Sequence, residues 1–298
     1  MPVSFTCPHC STQTTVADEY AGQTGPCAQC GQTVTIPPLA GAPGYAPPGK
    51  KSSGPAVIVI VLVVLLGMAV VCAGVMAALL IPAFSSAQGA ARRAQCANNL
   101  KQISLALMMY NERHGRFPPA YLADENGRPM HSWRMLILPY IEQQMLYEQY
   151  DFDEPWDSPA NLALAGMMPG VFRCPSDEGN DGTQTSYAVI VGPETVFPGA
   201  ESINDAQIRD GLSNTLQVVE ATGSGINWLE PRDLDAEEVG FLGVNSGNAG
   251  GIQSNHAGCA NAAFCDGSVH TLSESIDPET LRLLVDANDG MVVDTDSF

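Results

Sequence analysis

Twenty-six consecutive residues, from Ala56 to Ile81, carry no charge and are almost all branched or small apolar side chains. As a helix rising 1.5 Å per residue, such a run reaches about 39 Å, enough to cross a hydrocarbon core of about 30 Å with some tilt. A secretory signal peptide has a shorter apolar region and sits close to the N-terminus, whereas this run begins at residue 56. A buried helix of a soluble protein keeps a polar face, and this run has none. The segment 55–82 is therefore read as a transmembrane helix, with the lipid bilayer as the first partner, and Cys72 at its middle counts as a small apolar side chain.

Charge is distributed unevenly around this segment. Residues 92–298 carry 11 basic and 30 acidic side chains, which accounts for the whole net charge of −19. A nucleic-acid binder displaces counterions with a basic surface, and no region here has one, so nucleic acid is excluded as a partner.

Before the apolar run stand Cys7-Pro-His-Cys10 and Cys27-Ala-Gln-Cys30, two C-x2-C pairs separated by 16 residues. Each pair turns two thiolates toward one point, and two such knuckles complete a tetrahedral sulfur site. Two disulfides or a redox dithiol are the competing readings. Knuckles at this spacing, in a segment with almost no apolar core, favour one structural zinc bound by Cys7, Cys10, Cys27 and Cys30, with His9 a bystander. Without metal the segment buries too little to fold. Residues 1–36 resemble the small bacterial zinc ribbons that end in a Cys-x-x-Cys-Gly strand closed by Pro, here Cys27 to Pro37. Residues 37–54 form a Pro/Gly-rich linker, a composition that builds neither helix nor strand.

Beyond the span, Leu100, Ile103, Leu107 and Tyr110 recur at helical spacing, so the membrane helix and the first helix of the following domain read as one rod, with Pro82 as the place for a bend. Gly115 and Pro118-Pro119 end it. Trp133–Tyr150 is expected to be helical on both sides of Pro139. Ser186–Val191, Thr215–Glu220, Asn261–Cys265 and Ser268–Leu272 read as short strands, the last two joined by a type I′ turn at Asp266-Gly267. Asp277 should cap a short helix that has Pro278 at its first position. The expected fold class is α+β: a long N-terminal helix packed on an antiparallel sheet, with a small N-terminal zinc ribbon.

Several ordered motifs in residues 56–298 carry a resemblance. They are Arg92-Arg93-Ala-Gln-Cys96-Ala-Asn-Asn-Leu100-Lys-Gln-Ile103, His114-Gly-Arg-Phe-Pro-Pro119, Leu138-Pro-Tyr-Ile-Glu-Gln143, Phe172-Arg-Cys-Pro-Ser-Asp177, Asp210-Gly-Leu-Ser-Asn-Thr215, and His256 followed nine residues later by Asp266-Gly267. The chain resembles the pseudopilin-like H-x9-DG family of bacterial proteins of unknown function. The resemblance implies a pilin-like domain over 83–298, exposed outside the cytoplasm, with no established enzymatic activity. Family members begin with a short basic leader and Gly-Phe-Thr-Leu-Ile-Glu, cleaved after the glycine. Here the glycine and glutamate positions are Ile60 and Leu65, so the chain is expected to escape that cleavage.

Cys96 and Cys174 fall on motif positions of the resemblance and are expected to form a disulfide, against the alternative of two buried free thiols. An extended stretch between Cys259 and Cys265 would separate those sulfurs by about 20 Å, too far to bridge, so both are expected to be buried free thiols. His256 with Asp266 could be half of a metal or acid–base site. The plainer reading has His256 capping a loop and Asp266-Gly267 making a turn, and no convergent catalytic set accompanies them, so the chain is not read as an enzyme. Asp177–Gly182 fails as a calcium loop because Gly179 and Ala188 stand where oxygen ligands belong. Calcium elsewhere on the acidic surface stays open without named ligands.

The functional expectation is a single-pass membrane protein acting through assembly or protein contacts, its partners unidentified. The alternative is a membrane-anchored ligand-binding or signalling module with a cytoplasmic ribbon. Lys50 and Lys51 against Arg92, Arg93 and Lys101 leave the positive-inside rule nearly neutral. Zinc thiolates prefer a reducing compartment, which places the N-terminus in the cytoplasm and the C-terminal domain outside the bacterial inner membrane.

Overall fold

The computed structural model describes residues 2–38 and 55–293. Of the expected linker 37–54, residues 39–54 lie outside the described residues. The chain divides into two compact units, Met1–Gly74 and Val75–Phe298.

The first unit holds two β-hairpins, β1 (Val3–Thr6) with β2 (Gln13–Val16), and β3 (Thr24–Pro26) with β4 (Thr33–Thr35), each antiparallel. Among the described residues, Cys7, Cys27 and Val34 form its buried apolar cluster, with Phe5 and Cys10 packed against them. Helix α1 (Pro55–His114) then runs without interruption for 60 residues, and every described side chain from Ala56 to Ile81 is exposed. Among the described residues, one helix is long and apolar enough to cross a membrane.

In the second unit α1 ends where Gly115 takes a left-handed φ of +72° and returns its amide to the Asn111 carbonyl at 2.7 Å, a backbone conformation that an L side chain resists. The hairpin β5 (Tyr121–Ala123) and β6 (Pro129–Ser132) leads into α2 (Trp133–Leu136) and α3 (Gln144–Gln149), with Pro139 in a 3-10 turn between them. A single turn, α4 (Pro159–Leu162), follows. The central sheet has the order β12-β11-β9-β7, built from β7 (Tyr187–Ala188), β9 (Leu216–Glu220), β11 (Cys259–Phe264) and β12 (Val269–Ser273), all antiparallel. A small parallel pair, β8 (Ile190–Val191) with β10 (Leu234–Asp235), stands beside it.

Strands β7, β9 and β11 are buried on both faces. Along β11 and into its turn, Ala263 and Cys265 join the core formed by Leu100, Ile103 and Leu107 of α1. Ala260, Ala262 and Phe264 join a second core with α5 (Ala236–Leu242) and α6 (Pro278–Val285). This alternation is the two-residue period of a strand. On the α1 side β11 presents the small side chain of Ala263, and Ser104 of α1 donates its hydroxyl to the Gln217 side chain of β9 at 2.6 Å.

The expected type I′ turn at Asp266-Gly267 is corrected. A type I′ turn needs positive φ at both central residues. Here Gly267 alone has it, at +79°. The Gly267 amide bonds the Phe264 carbonyl and the Phe264 amide bonds the Ser268 carbonyl, each at 2.9 Å, so Cys265, Asp266 and Gly267 form a three-residue loop with a glycine bulge. A Cβ on Gly267 would lie 3.0 Å from the Met108 sulfur of α1, so the position is restricted both by its φ and by the helix above it.

Buried Arg134 and Asp233 pair at 2.6 Å. Asp233 also accepts from the Trp133 indole and the Val189 amide, locking α2 to the strand region. Asp277 caps α6 as expected, accepting the amides of Glu279 and Thr280 at 3.1 Å each. Asp277→Ala should destabilise the second unit by about 1 kcal/mol, measured by urea denaturation with and without the substitution.

Candidate functional site

Two clusters of chemistry-bearing side chains stand out. In the first unit, each C-x2-C knuckle closes on its own backbone. The Ser11 amide bonds the Cys7 carbonyl at 3.0 Å and the Gly31 amide bonds the Cys27 carbonyl at 2.8 Å. The residue after each second cysteine carries positive φ, +54° at Ser11 and +70° at Gly31. These repeated turns bring Cys7 Sγ to 3.8 Å from Cys30 Sγ and Cys10 Sγ to 3.9 Å from Cys27 Sγ, and all four sulfurs lie within 4.8 Å of one another.

A tetrahedral site with metal–sulfur bonds of about 2.3 Å has sulfur–sulfur edges of about 3.8 Å. The two closest sulfur pairs match that edge, and the cluster could hold a metal ion. Hydrogen bonding to Thr12 brings the Cys10 thiol down to about 6. The amides of Cys30 and Gln29 lower the Cys27 thiol. Both effects favour thiolates at Cys10 and Cys27, the form that ligates metal, whereas burial and the three neighbouring thiols push the Cys30 thiol up to about 11. His9 is exposed and stands outside the cluster.

The second cluster lies within the second unit. Cys96 of α1 and Cys174 form a disulfide with a Cα–Cα separation of 5.2 Å. The turn carrying Cys174 is knotted by Asp177, whose carboxylate accepts from Ser186 at 2.9 Å and from Asn180 at 3.2 Å. Ser186 in turn accepts the Cys174 amide at 3.0 Å. On the helix side Asn99 donates to the Arg173 carbonyl at 2.9 Å and to the Tyr187 hydroxyl at 3.3 Å. The expected failure of 177–182 as a calcium loop therefore has a positive counterpart, since Asp177 serves this internal knot.

His256 sits on the disulfide. Its Nε2 lies 3.7 Å from Cys174 Sγ and 3.5 Å from Glu220 Oε1. Glu220 is fully buried and accepts both the backbone and the side-chain amide of Asn261 at 2.9 Å. Asp266 instead accepts the Ser268 amide at 2.8 Å in the hairpin loop, and no hydrogen bond or ion pair joins it to His256 among the described residues. The acid beside His256 is Glu220. Sequence reasoning missed it, although an acid directly after Val218 and Val219 in a strand is a signal of a buried, partnered carboxylate.

Cys96, Cys174 and Glu220 have no exposure and His256 only 7%, so any reactant reaches this node through the edge of His256 alone. That edge borders a cleft of about 590 Å³ lined by Arg92, Arg93, Ser176, Glu178 and Asn255. Both arginines are engaged there, Arg92 with Glu178 at 2.7 Å and Arg93 with Thr271 at 2.6 Å. Cys259 and Cys265 are buried free thiols as expected, and burial pushes the Cys265 thiol well up.

A family model described as a protein of unknown function (DUF1559) matches residues 85–202 and 240–279, just over half of the chain. The matched stretches include Cys96, Cys174, His256 and Asp266, whereas Glu220 falls between them. No curated protein and no solved structure matches the chain.

Proposed function

The chain belongs to the DUF1559 family of proteins of unknown function, and within it we propose a single-pass, membrane-anchored, non-catalytic protein of the bacterial cell envelope that acts by assembling with other protein chains. The carrying observation is the division of α1. From Ala56 to Ile81 its side chains are exposed and apolar on every side, as a lipid-facing helix requires. From Cys96 to Leu107 the same helix is built into the core of a folded domain. A pseudopilin-like arrangement uses such a helix both as anchor and as assembly surface. Leu105 and Met109 are exposed apolar side chains on the domain half of the helix.

Zinc is the metal we assign to the four-cysteine cluster, because an all-thiolate tetrahedral set is characteristic of structural zinc. Those thiolates require a reducing compartment and the Cys96–Cys174 bridge an oxidising one. The ribbon accordingly faces the cytoplasm and the second unit lies outside. With Ile60 and Leu65 in place of the cleavage glycine and glutamate, the ribbon remains attached, and the intact mass of the membrane-extracted protein should include residues 1–54. A mature N-terminus anywhere within 55–68 would end that expectation.

Assembly is tested by oxidative cross-linking in native membranes. Leu105→Cys and Met109→Cys should give dimers and higher ladders on non-reducing gels, beyond any formed by native Cys72. Monomers alone at both positions would favour the ligand-binding or signalling alternative, which predicts a cytoplasmic partner retained only when the ribbon is metal-loaded.

A further inference from the structure

Three carboxylates meet at a place that neither cluster uses. Asp210 precedes the turn glycine Gly211, whose φ is +91°, and Asp286 and Asp289 follow the end of α6. The two segments are strapped together, with the amides of Arg209 and Asp210 both directed at the Ala287 carbonyl, at 2.8 and 3.4 Å. One carboxylate oxygen from each aspartate lies within 4.8 Å of the other two.

Each aspartate commits one oxygen to the backbone: Asp210 Oδ1 to the Gly290 amide at 2.6 Å, Asp286 Oδ1 to Asn288 at 2.8 Å, and Asp289 Oδ1 to Met291 at 2.7 Å. The second oxygen of Asp210 is the telling one. Asp210 is only 3% exposed, yet its Oδ2 is buried with no hydrogen-bond partner. A buried carboxylate oxygen without a donor is costly and calls for a counter-charge. No basic side chain supplies one among the described residues, and nearby Arg282 is paired with Glu279 at 2.8 Å. Burial, with Asp289 and Asp286 adding to it, holds the Asp210 carboxyl above the usual carboxylate range.

We propose that Asp210, Asp286 and Asp289 bind one divalent cation, with calcium as the fitting ion. The donors are all hard oxygens. Calcium accepts an irregular set of six to eight such ligands completed by water, whereas magnesium demands a near-ideal octahedron and sheds its water reluctantly. The ion neutralises the orphaned oxygen and clamps the segment after α6 onto the turn that leads into β9. This proposal is independent of the membrane and assembly reading.

The test uses the full-length protein in detergent, dialysed into calcium-free buffer without chelator so that metal on the ribbon is undisturbed. Its melting temperature is measured in 10 mM CaCl2 and in NaCl of equal ionic strength. A site with the ~0.1–1 mM affinity of extracellular calcium modules raises the melting temperature by about 3–10 °C over the NaCl control. Asp289→Asn, at an exposed ligand, abolishes the rise, while Asp181→Asn, an acid elsewhere on the surface, keeps it. No rise beyond the NaCl control overturns the proposal, and so does an equal rise in Asp289→Asn.

Discussion

Cys7→Ser should unfold the N-terminal ribbon while leaving the second unit folded. Among the described residues the ribbon has three buried apolar ones, two of which are the cysteines Cys7 and Cys27, so nothing else described in it resembles a core. Structural zinc in small finger peptides contributes about 10–16 kcal/mol of apparent binding free energy at pH 7, far more than hairpins of three or four residues gain by pairing. Removing one of four thiolates opens the site and leaves the other three converging on nothing. Metal analysis of the full-length protein should fall from about one zinc per chain toward none. Limited proteolysis should then cut freely within 2–38 and spare the second unit. A protected ribbon in a metal-free Cys7→Ser protein would show that the hairpins hold without metal, and a wild-type zinc content near zero under reducing conditions would remove the metal assignment itself.

The four-cysteine cluster was readable from sequence because knuckle spacing is local. Two residues between cysteines define a knuckle, and the turn geometry at Ser11 and Gly31 follows from it. The apolar run and the cap of α6 were readable for the same reason, since each depends on neighbours within a few positions. Strand positions followed from short runs separated by turn-forming Gly, Asn, Asp and Pro, and β9 and β11 fall close to where they were expected.

What could not be read is what meets across the chain. His256 and Asp266 lie ten apart and invite pairing, but one belongs to the disulfide and the other to a hairpin loop. The true neighbour of His256, Glu220, is set by the register of β11 beside β9, in which Ala262 faces Val219. That register places Asn261 against Glu220, and nothing in the local sequence around either residue encodes it. The turn at Asp266-Gly267 shows a subtler limit. Asp-Gly is compatible with both a two-residue and a three-residue loop, and the choice was made by bonds at Phe264 and Ser268. The Asp210–Asp286–Asp289 group is likewise the product of two segments far apart in sequence.

Breaking the Cys96–Cys174 bridge should have the second-largest effect. The cysteines are 78 residues apart, and closing a loop of that length removes unfolded-state entropy worth roughly 4.5 kcal/mol at 25 °C in the chain-entropy model. Against a net stability that is typically about 5–15 kcal/mol for a domain, that is a large fraction. Cys96→Ala/Cys174→Ala keeps both side chains small and buried, so the loss reports the cross-link rather than an exposed thiol. Asn99 and the Asp177 knot still hold the turn to the helix in the variant, so the native fold should persist with a lower urea midpoint and a steeper slope, because the unfolded chain without the cross-link is less compact. A midpoint within experimental error of the wild type would mean that the bridge contributes nothing. The same bond decides orientation. In intact cells, an impermeant maleimide should label neither Cys96 nor Cys174 before reduction. After reduction and denaturation of the extracted protein, both should label. Free thiols at both positions in protein denatured without reductant would remove the disulfide in the cell, and with it the ground for placing the second unit in an oxidising compartment.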